Sequence, residues 1–432
     1  MTVNAAAGPG PGRQIMRSAA TRVACVALGT VSGEVVARAL HPAGRGAFSV
    51  VMTLASITQA LGHLSVEQAQ TALWRAGRSV IPANAILLGP VAGLLAAAVA
   101  AVVVTVLGPG LVPLPSAGLA AIALASVPCG MTVLYLNSVL VLQGRVDVLN
   151  RSLLTTMAVQ TTVLLGCAAT GHLSLTVVVG MWAVSVGLPL LTIVPTIRPR
   201  LSGCDLAFVR RTLVFGLRYH GGSAAMFLLL RLDVLILNAL SVPVAVGLYA
   251  AAVTVAEMSR ILTDAAAQVA TSRQAGAELA DAAAVTIRAA RLSTLLAVVA
   301  VGGMCLVAPV AIPLLYGHSF TASVPALFAL APGLLALGTT RPLGAYLLRL
   351  ERPLRMSAIT VVAVGVNVVG CLVAIPRWGI VGCALASSAG YLVVAGCQVT
   401  WFLRATGTRP AALLPGRPEF GRLRRADRQR AE

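Results

Sequence analysis

Residues 82–107, PANAILLGPVAGLLAAAVAAVVVTVL, run for 26 positions without a charged side chain. A helix needs roughly 20 mostly apolar residues to span the hydrocarbon core of a bilayer, and a stretch this long is a spanning segment. What flanks it is as telling. Arg75 and Arg78 precede it, whereas the short loop Gly108–Ser116 that follows carries no Arg. Read outward in both directions, the same alternation recurs. It predicts crossings at 18–40, 46–66, 82–107, 117–142, 152–170, 173–197, 212–240, 244–271, 292–316, 323–348, 354–376 and 379–403. Strict period-two alternation is absent, so helices rather than a barrel are expected to satisfy the backbone inside the bilayer.

The composition agrees. Of 432 residues, 58% are hydrophobic and 10% charged, where soluble domains carry about 25% charge. The formal net charge is +19, and all 32 basic residues are Arg. A balance this basic can signal nucleic acid. Here it is dispersed over membrane-flanking loops, so no nucleic-acid partner is expected. One set of loops holds Arg75 and Arg78; Arg145 and Arg151; Arg198, Arg200, Arg210 and Arg211; Arg273, Arg288 and Arg291; Arg349, Arg352 and Arg355. The other set holds only Arg45 and Arg377. Cytoplasmic loops are the Arg-rich ones, so both termini are expected to be cytoplasmic in a multi-pass protein of the cell (inner or plasma) membrane. The run behind the N-terminus is interrupted by Arg22 and Glu34 and reads as an uncleaved first crossing.

Catalysis is not favoured. The outer loops are a few residues long and offer no polar surface for an enzyme, no GxxxxGK[ST] phosphate loop or HExxH is present, and no catalytic residue is expected. The eight Cys form no CxxC or metal-ligand spacing. No metal or other cofactor is expected.

The expected domains are a cytoplasmic N-terminal tail (1–17), a first lobe of six crossings (18–197), a cytoplasmic inter-lobe loop (198–211), a second lobe of six (212–403) and a basic C-terminal tail (404–432). The lobes look like repeats. Residues 36–48, VARALHPAGRGAF, align with 236–249, ILNALSVPVAVGLY, at an offset of 200 with one inserted residue. Each runs from an apolar helix through Ala-Leu and a turn with Pro to Gly, then an aromatic two residues later. Six crossings per repeat leave the second copy parallel to the first, about an axis along the membrane normal.

Three stretches together carry a family resemblance. Val35–Gly46 (VVARALHPAGRG) resembles the "ARxLGPxGxG" turn that ends the first helix of polysaccharide-type transporters. Phe215–His220 (FGLRYH), followed by Arg231-Leu232-Asp233 and Val246-Gly247-Leu248-Tyr249, resembles the opening of their second half. Asn367 with Ile375–Ala386 (IPRWGIVGCALA) resembles the "N…IPxxGIxGAAxA" run near their end. The chain is thus similar to the oligosaccharidyl-lipid (Wzx-like) flippases of the multidrug/oligosaccharidyl-lipid/polysaccharide (MATE/MOP) exporter superfamily. The resemblance implies an all-α integral membrane fold of twelve transmembrane helices in two pseudo-symmetric six-helix lobes, arranged as a V around a central cavity. It implies alternating access with a lipid-linked glycan as cargo. Lipid II flippases of the superfamily carry two further helices, for which this chain has no room.

Charges inside the crossings are the candidate sites, since an unpaired charge at bilayer depth costs several kcal/mol. Glu34 and Arg38 stand i,i+4 in the first crossing, as a local ion pair or a site. Arg231 and Asp233 lie two apart in the seventh, on different faces, so at least one meets a cavity or another helix. Glu257, Arg260 and Asp264 share one face of the eighth, as a self-satisfied structural triad or a gate. Arg341 precedes Pro342 in the tenth, where a proline frees backbone groups. Arg218 snorkels towards the interface. His63 titrates near neutral pH in its free state, yet a lone His in an apolar helix is more often a packed hydrogen-bonder, and His220 is read as a helix-end His. Arg38, Arg231 and Arg341 are the expected ligands of a diphosphate headgroup, because guanidinium binds phosphate bidentately. Asp233, Glu257 and Glu34 are the expected ion-coupling or gating residues, with H⁺ or Na⁺ as the ion. The expected partners are the lipid-linked glycan, the bilayer and glycan-assembly proteins. A cation-coupled exporter of amphipathic drugs is the alternative, favoured less because the crossings are rich in Arg. A membrane glycosyltransferase or ligase is weaker still, lacking an outer domain.

Overall fold

The computed structural model describes residues 11–111, 113–275, 278–350 and 352–413. Most of the expected basic C-terminal tail (414–432) and residues 1–10 of the N-terminal tail lie outside them. Thirteen α-helices, and no strand, make up the described residues: α1 (Pro11–Gly62), α2 (Val66–Gly77), α3 (Ile81–Leu111), α4 (Ala117–Leu142), α5 (Val146–Ala169), α6 (Leu175–Gly187), α7 (Leu190–Ile197), α8 (Leu206–Leu240), α9 (Pro243–Met258), α10 (Arg260–Ala275), α11 (Leu279–Tyr316), α12 (Ser323–Leu348) and α13 (Pro353–Thr406).

Nine of the described helical stretches are long and apolar enough to cross a bilayer, and two of those are double. α1 breaks at His41 (φ 56°, ψ 178°), directly before Pro42. A residue before proline is pushed out of the helical region, so one crossing ends here and the next begins. α13 breaks in the same way at Gly379 (φ 55°, ψ −130°), a backbone setting that glycine tolerates best. The eighth crossing is split into α9 and α10 at Ser259, and the sixth into α6 and α7 around Pro189. Counted so, the twelve expected crossings are all present as helices, and the all-α membrane fold holds.

Several boundaries differ from the sequence reading, among them the start of the ninth crossing, where α11 begins at Leu279 rather than 292. The segment with Arg75 and Arg78 is not a plain loop: it forms α2, whose buried residues Val66, Ala69, Gln70, Leu73 and Gly77 repeat at helical spacing. The segment 198–211 is shorter as a loop, with a 3₁₀ turn at Leu201–Gly203 and α8 starting at Leu206. The eighth crossing is two helices rather than one.

The described chain forms two compact units. The first runs to Phe227 and takes in Val242–Gly247 and Leu315–Ser319; the second comprises Leu228–Ser241, Leu248–Leu314 and the chain from Phe320. In the first, Val127, Met131, Tyr135, Leu136, Val139 and Leu140 of α4 are fully buried at the centre of its largest apolar cluster. In the second, Tyr346 and Phe402 pack edge-to-face at 5.2 Å within a cluster that includes Leu347 and Trp401. The outward surfaces are apolar too. Leu94, Leu95, Val99, Val102 and Val106 of α3 are exposed, as are Leu306, Val307, Val310 and Leu314 of α11. Such continuous exposed hydrocarbon would drive a soluble protein to associate; it suits acyl chains.

The repeated turns lie against each other inside the first unit. A Cβ added at Gly46 would fall on the Pro243 carbonyl oxygen and the Gly247 nitrogen, and one added at Gly247 on the Pro42 carbonyl oxygen and the Gly46 nitrogen. The contact is reciprocal: an offset of 201 residues relates Pro42 to Pro243 and Gly46 to Gly247. Only glycine allows two backbones to approach this closely.

Candidate functional site

Buried polarity in the second unit gathers around Asp233. Leu240 and Pro243 bound a two-residue turn between α8 and α9. At 1.5 Å per residue, Asp233 and Tyr249 therefore sit at similar depths along the two helices, on the order of 10 Å from the turn. Asp233 is 1% exposed. Its Oδ2 accepts from the Tyr249 hydroxyl and from Ser387 Oγ at 2.7 Å, and its Oδ1 from the Val234 backbone N–H at 2.9 Å. Asn367 Nδ2 donates to Ser387 Oγ at 3.2 Å, and Cys383 Sγ–H donates to the Asp233 carbonyl oxygen at 3.7 Å. Tyr249, Ser387 and Asn367 are all fully buried. A buried carboxylate persists only with such a set of donors. The Oδ1 of Asn367 is left without a hydrogen-bond partner, so one acceptor remains unused in a cluster otherwise satisfied.

The charges nearby sort into pairs between helices. Arg231 of α8 meets Glu257 of α9 at 2.8 Å, both side chains part-exposed. Arg341 of α12 pairs with Asp264 of α10: its Nη2 donates to Oδ2 at 3.1 Å, and its Nε lies 2.8 Å from Oδ1 as an ion-pair contact that leaves that oxygen without a hydrogen bond. Glu257, Arg260 and Asp264 are thus not a self-contained triad. The break at Ser259 interrupts their common helix, and two of them find partners on α8 and α12. Arg231 and Asp233 turn to different surroundings, as two positions on one helix must.

Glu34 and Arg38 form the i,i+4 pair, at 3.0 Å, in the first unit. Arg38 is 55% exposed along its side chain, and its Nε donates to the Leu315 carbonyl oxygen at 3.2 Å. The pair belongs to the first unit and the Asp233 cluster to the second. Arg45, read as an outer-loop charge, is buried: its Nη1 donates to the Gly33 carbonyl oxygen at 3.1 Å and its guanidinium lies 4.9 Å from the Tyr316 ring centre.

The sequence reading named Asp233 but not the residues that hold it. Tyr249 and Asn367 stand inside the quoted motifs and Ser387 follows directly after one. A polar side chain recurring in an otherwise apolar motif was the available signal.

Comparison with known proteins agrees with this architecture. The family profile described as "Polysaccharide biosynthesis protein" matches residues 35–325, and the chain belongs to that family. Among curated proteins, no match was found. Among solved structures, the chain is similar to "Lipid II flippase MurJ, inward closed conformation", with a TM-score of 0.70 at 12% identity over 92% of this chain and 89% of that one. It is also similar to a MOP superfamily transporter from Pyrococcus furiosus, described as having a binding pocket of reversed polarity (TM-score 0.67, 13% identity, covering 93% and 96%). An outward-facing multidrug resistance MATE family transporter of the MOP superfamily gives 0.63 at 13% identity, covering 92% and 96%. At such identities the likeness speaks to the fold.

Proposed function

We propose that this protein carries a polyprenyl-diphosphate-linked oligosaccharide from the inner to the outer leaflet of the cell membrane, both termini facing the cytoplasm, and that it is a carrier rather than an enzyme. Sugar hydroxyls cannot enter hydrocarbon without losing their hydrogen-bond partners, so a polar path must replace water while the lipid tail stays in the bilayer. The two six-crossing repeats, residues 18–197 and 212–403, expose that path alternately to the two sides.

One observation carries the reading: the pairs Arg231–Glu257 and Arg341–Asp264 are part-exposed within spanning segments. Charge at that depth is costly against acyl chains and affordable against water or an anionic headgroup. Each guanidinium can trade its carboxylate for a phosphate of like geometry. Arg38 extends the same chemistry to the first unit. An exporter of cationic drugs would call for unpaired acids here, and both acids are matched by Arg.

The Asp233 cluster supports ion coupling. Its carboxylate, the Ser387 and Tyr249 hydroxyls and the unpartnered Asn367 Oδ1 form an all-oxygen set that suits a proton or Na⁺. Glu257 and Glu34 serve as gating residues. Export of net negative charge also runs with an inside-negative potential, about 2.3 kcal/mol per charge per 100 mV.

The test is export of surface glycan in cells that lack the native protein. Arg231→Ala and Arg341→Ala are expected to lower export at least about tenfold at equal expression, with Arg→Lys recovering only part. Full export by well-expressed Ala variants overturns the assignment.

A further inference from the structure

The turn between α1 and α2, in the first unit, brings two imidazoles and a carboxylate together. Leu64 and Ser65 both take left-handed backbone angles, φ 49° and 51°, a setting that L-residues other than glycine resist. Several bonds hold them there. The Ser65 N–H donates to His63 Nδ1 at 3.0 Å, and the Tyr135 hydroxyl of α4 donates to the His63 carbonyl oxygen at 2.9 Å. From α8, the Ser223 hydroxyl meets that of Ser65 at 2.9 Å, and His220 Nε2 lies 3.0 Å from the Leu61 carbonyl oxygen.

These partners fix where hydrogens sit. A backbone N–H only donates, so His63 Nδ1 presents a lone pair to Ser65. A carbonyl oxygen only accepts, so His220 Nε2 carries its hydrogen, which leaves Nδ1 of the neutral ring to face Ser65 Oγ at 3.5 Å. Yet both carboxylate oxygens of Glu67 also approach His63 Nδ1, at 3.2 and 3.3 Å. An ionised carboxylate and a lone pair then face each other with no hydrogen between them. The titratable groups turned towards His63 are Glu67 from α2, His220 from α8, with its ring centre 5.1 Å away, and Tyr135 from α4.

We infer that His63 and Glu67 form a binding site for one proton, separate from the Asp233 cluster, and that its occupancy controls how the 62–65 turn is tied. With a proton on Nδ1, His63 donates a charge-assisted hydrogen bond to Glu67. The same proton takes away the acceptor of the Ser65 N–H. The left-handed pair loses its internal tie, and the bonds from Ser65 and Leu61 to α8 lose their anchor. A second proton on His220 would place like charges about 5 Å apart, so the site takes one. The site deepens the carrier reading by giving a proton a place in the cycle; its existence does not depend on that reading.

Hydrogen exchange on the full chain in lipid nanodiscs, compared at pH 5.5 and 7.5 and corrected for intrinsic chemistry, tests it. Amides of residues 61–68 are expected to exchange about tenfold faster at the lower pH. In His63→Gln the side-chain carbonyl accepts from Ser65 without titrating, and the difference disappears. In Glu67→Gln an amide donates to the ring without a proton from solvent, and the difference shrinks. Equal exchange at the two pH values in the unaltered protein, or a full acid effect retained in His63→Gln, overturns the proposal. Export is not the readout: an export assay that defeats the flippase reading leaves this result standing, and flat exchange with intact export defeats the proton site alone.

Discussion

The turn after the first crossing and the turn after the seventh share a Pro-to-Gly spacing and differ in chemistry. Both place Pro four residues before Gly, and they pack against each other through those residues. Two positions after the glycine, the first copy has Phe48, packed among apolar side chains, and the second has Tyr249, whose hydroxyl serves Asp233. Two hundred positions before Asp233 stands Gly33. Where the second copy buries a carboxylate among hydroxyls and an amide, the first links its helices by a neutral pair, Ser32 and Thr161 at 2.7 Å, and leaves its Glu34–Arg38 pair on an exposed face. The duplicated scaffold is apolar and tolerant of divergence around its shared joint. Buried charge costs several kcal/mol unless partnered: the second copy buries a carboxylate on hydroxyls, and the first buries a guanidinium, that of Arg45, against the Gly33 carbonyl and the Tyr316 ring.

The comparison can be broken most severely at the shared joint. Gly247→Leu drives a side chain into the Pro42 carbonyl, and a loss of more than about 3 kcal/mol is expected, since backbone cannot move aside as a rotamer can; the thermal melt in detergent reads it. The milder Gly46→Ala and Gly247→Ala should be non-additive by about 0.5 kcal/mol or more when combined, because they share a contact. Next in size, Asp233→Ala leaves the Tyr249 and Ser387 hydroxyls buried without their acceptor. Removing one partner of a buried bond costs about 1–3 kcal/mol, so a drop of about 2 kcal/mol in chemical unfolding is expected, and no such drop for Ser32→Ala in the first copy, where about 1 kcal/mol is the ceiling. Tyr249→Phe gives the second copy the side chain of the first. It should destabilise by about 1.5 kcal/mol and impair ion-dependent export more than export driven by potential alone. Smallest of all, Arg38→Ala removes an exposed ion pair and should move stability by no more than about 1 kcal/mol. A larger loss would mean that the Glu34–Arg38 pair is shielded from solvent and counts as a second buried charge beside Arg45.

Crossing number was legible because hydrophobic length and the Arg alternation are local signals that repeat twelve times. α2 was not, since its apolar stripe of Val66, Ala69 and Leu73 spans only 12 residues and is drowned by the polar residues of the opposite face. The breaks at His41 and Gly379 were marked by Pro42 and by glycine, whereas Ser259 carries no such mark, and the expected triad of Glu257, Arg260 and Asp264 dissolved there. The Asp233 cluster was half legible. A carboxylate in an apolar run announces itself, but its partners come from positions 16, 134 and 154 residues along the chain, and periodicity says nothing about which distant faces meet. His63 and His220 each looked solitary for the same reason; 157 residues separate them in sequence and 5.1 Å in space.

The mutual seat of Gly46 and Gly247 has the form of an isologous interface, in which each side supplies what the other receives. Two half-length chains bearing this loop would make it only above their dissociation constant. Within a single polypeptide the encounter is unimolecular, so the joint forms at any abundance in the bilayer, and each half is free to drift chemically without ever having to recognise a stranger.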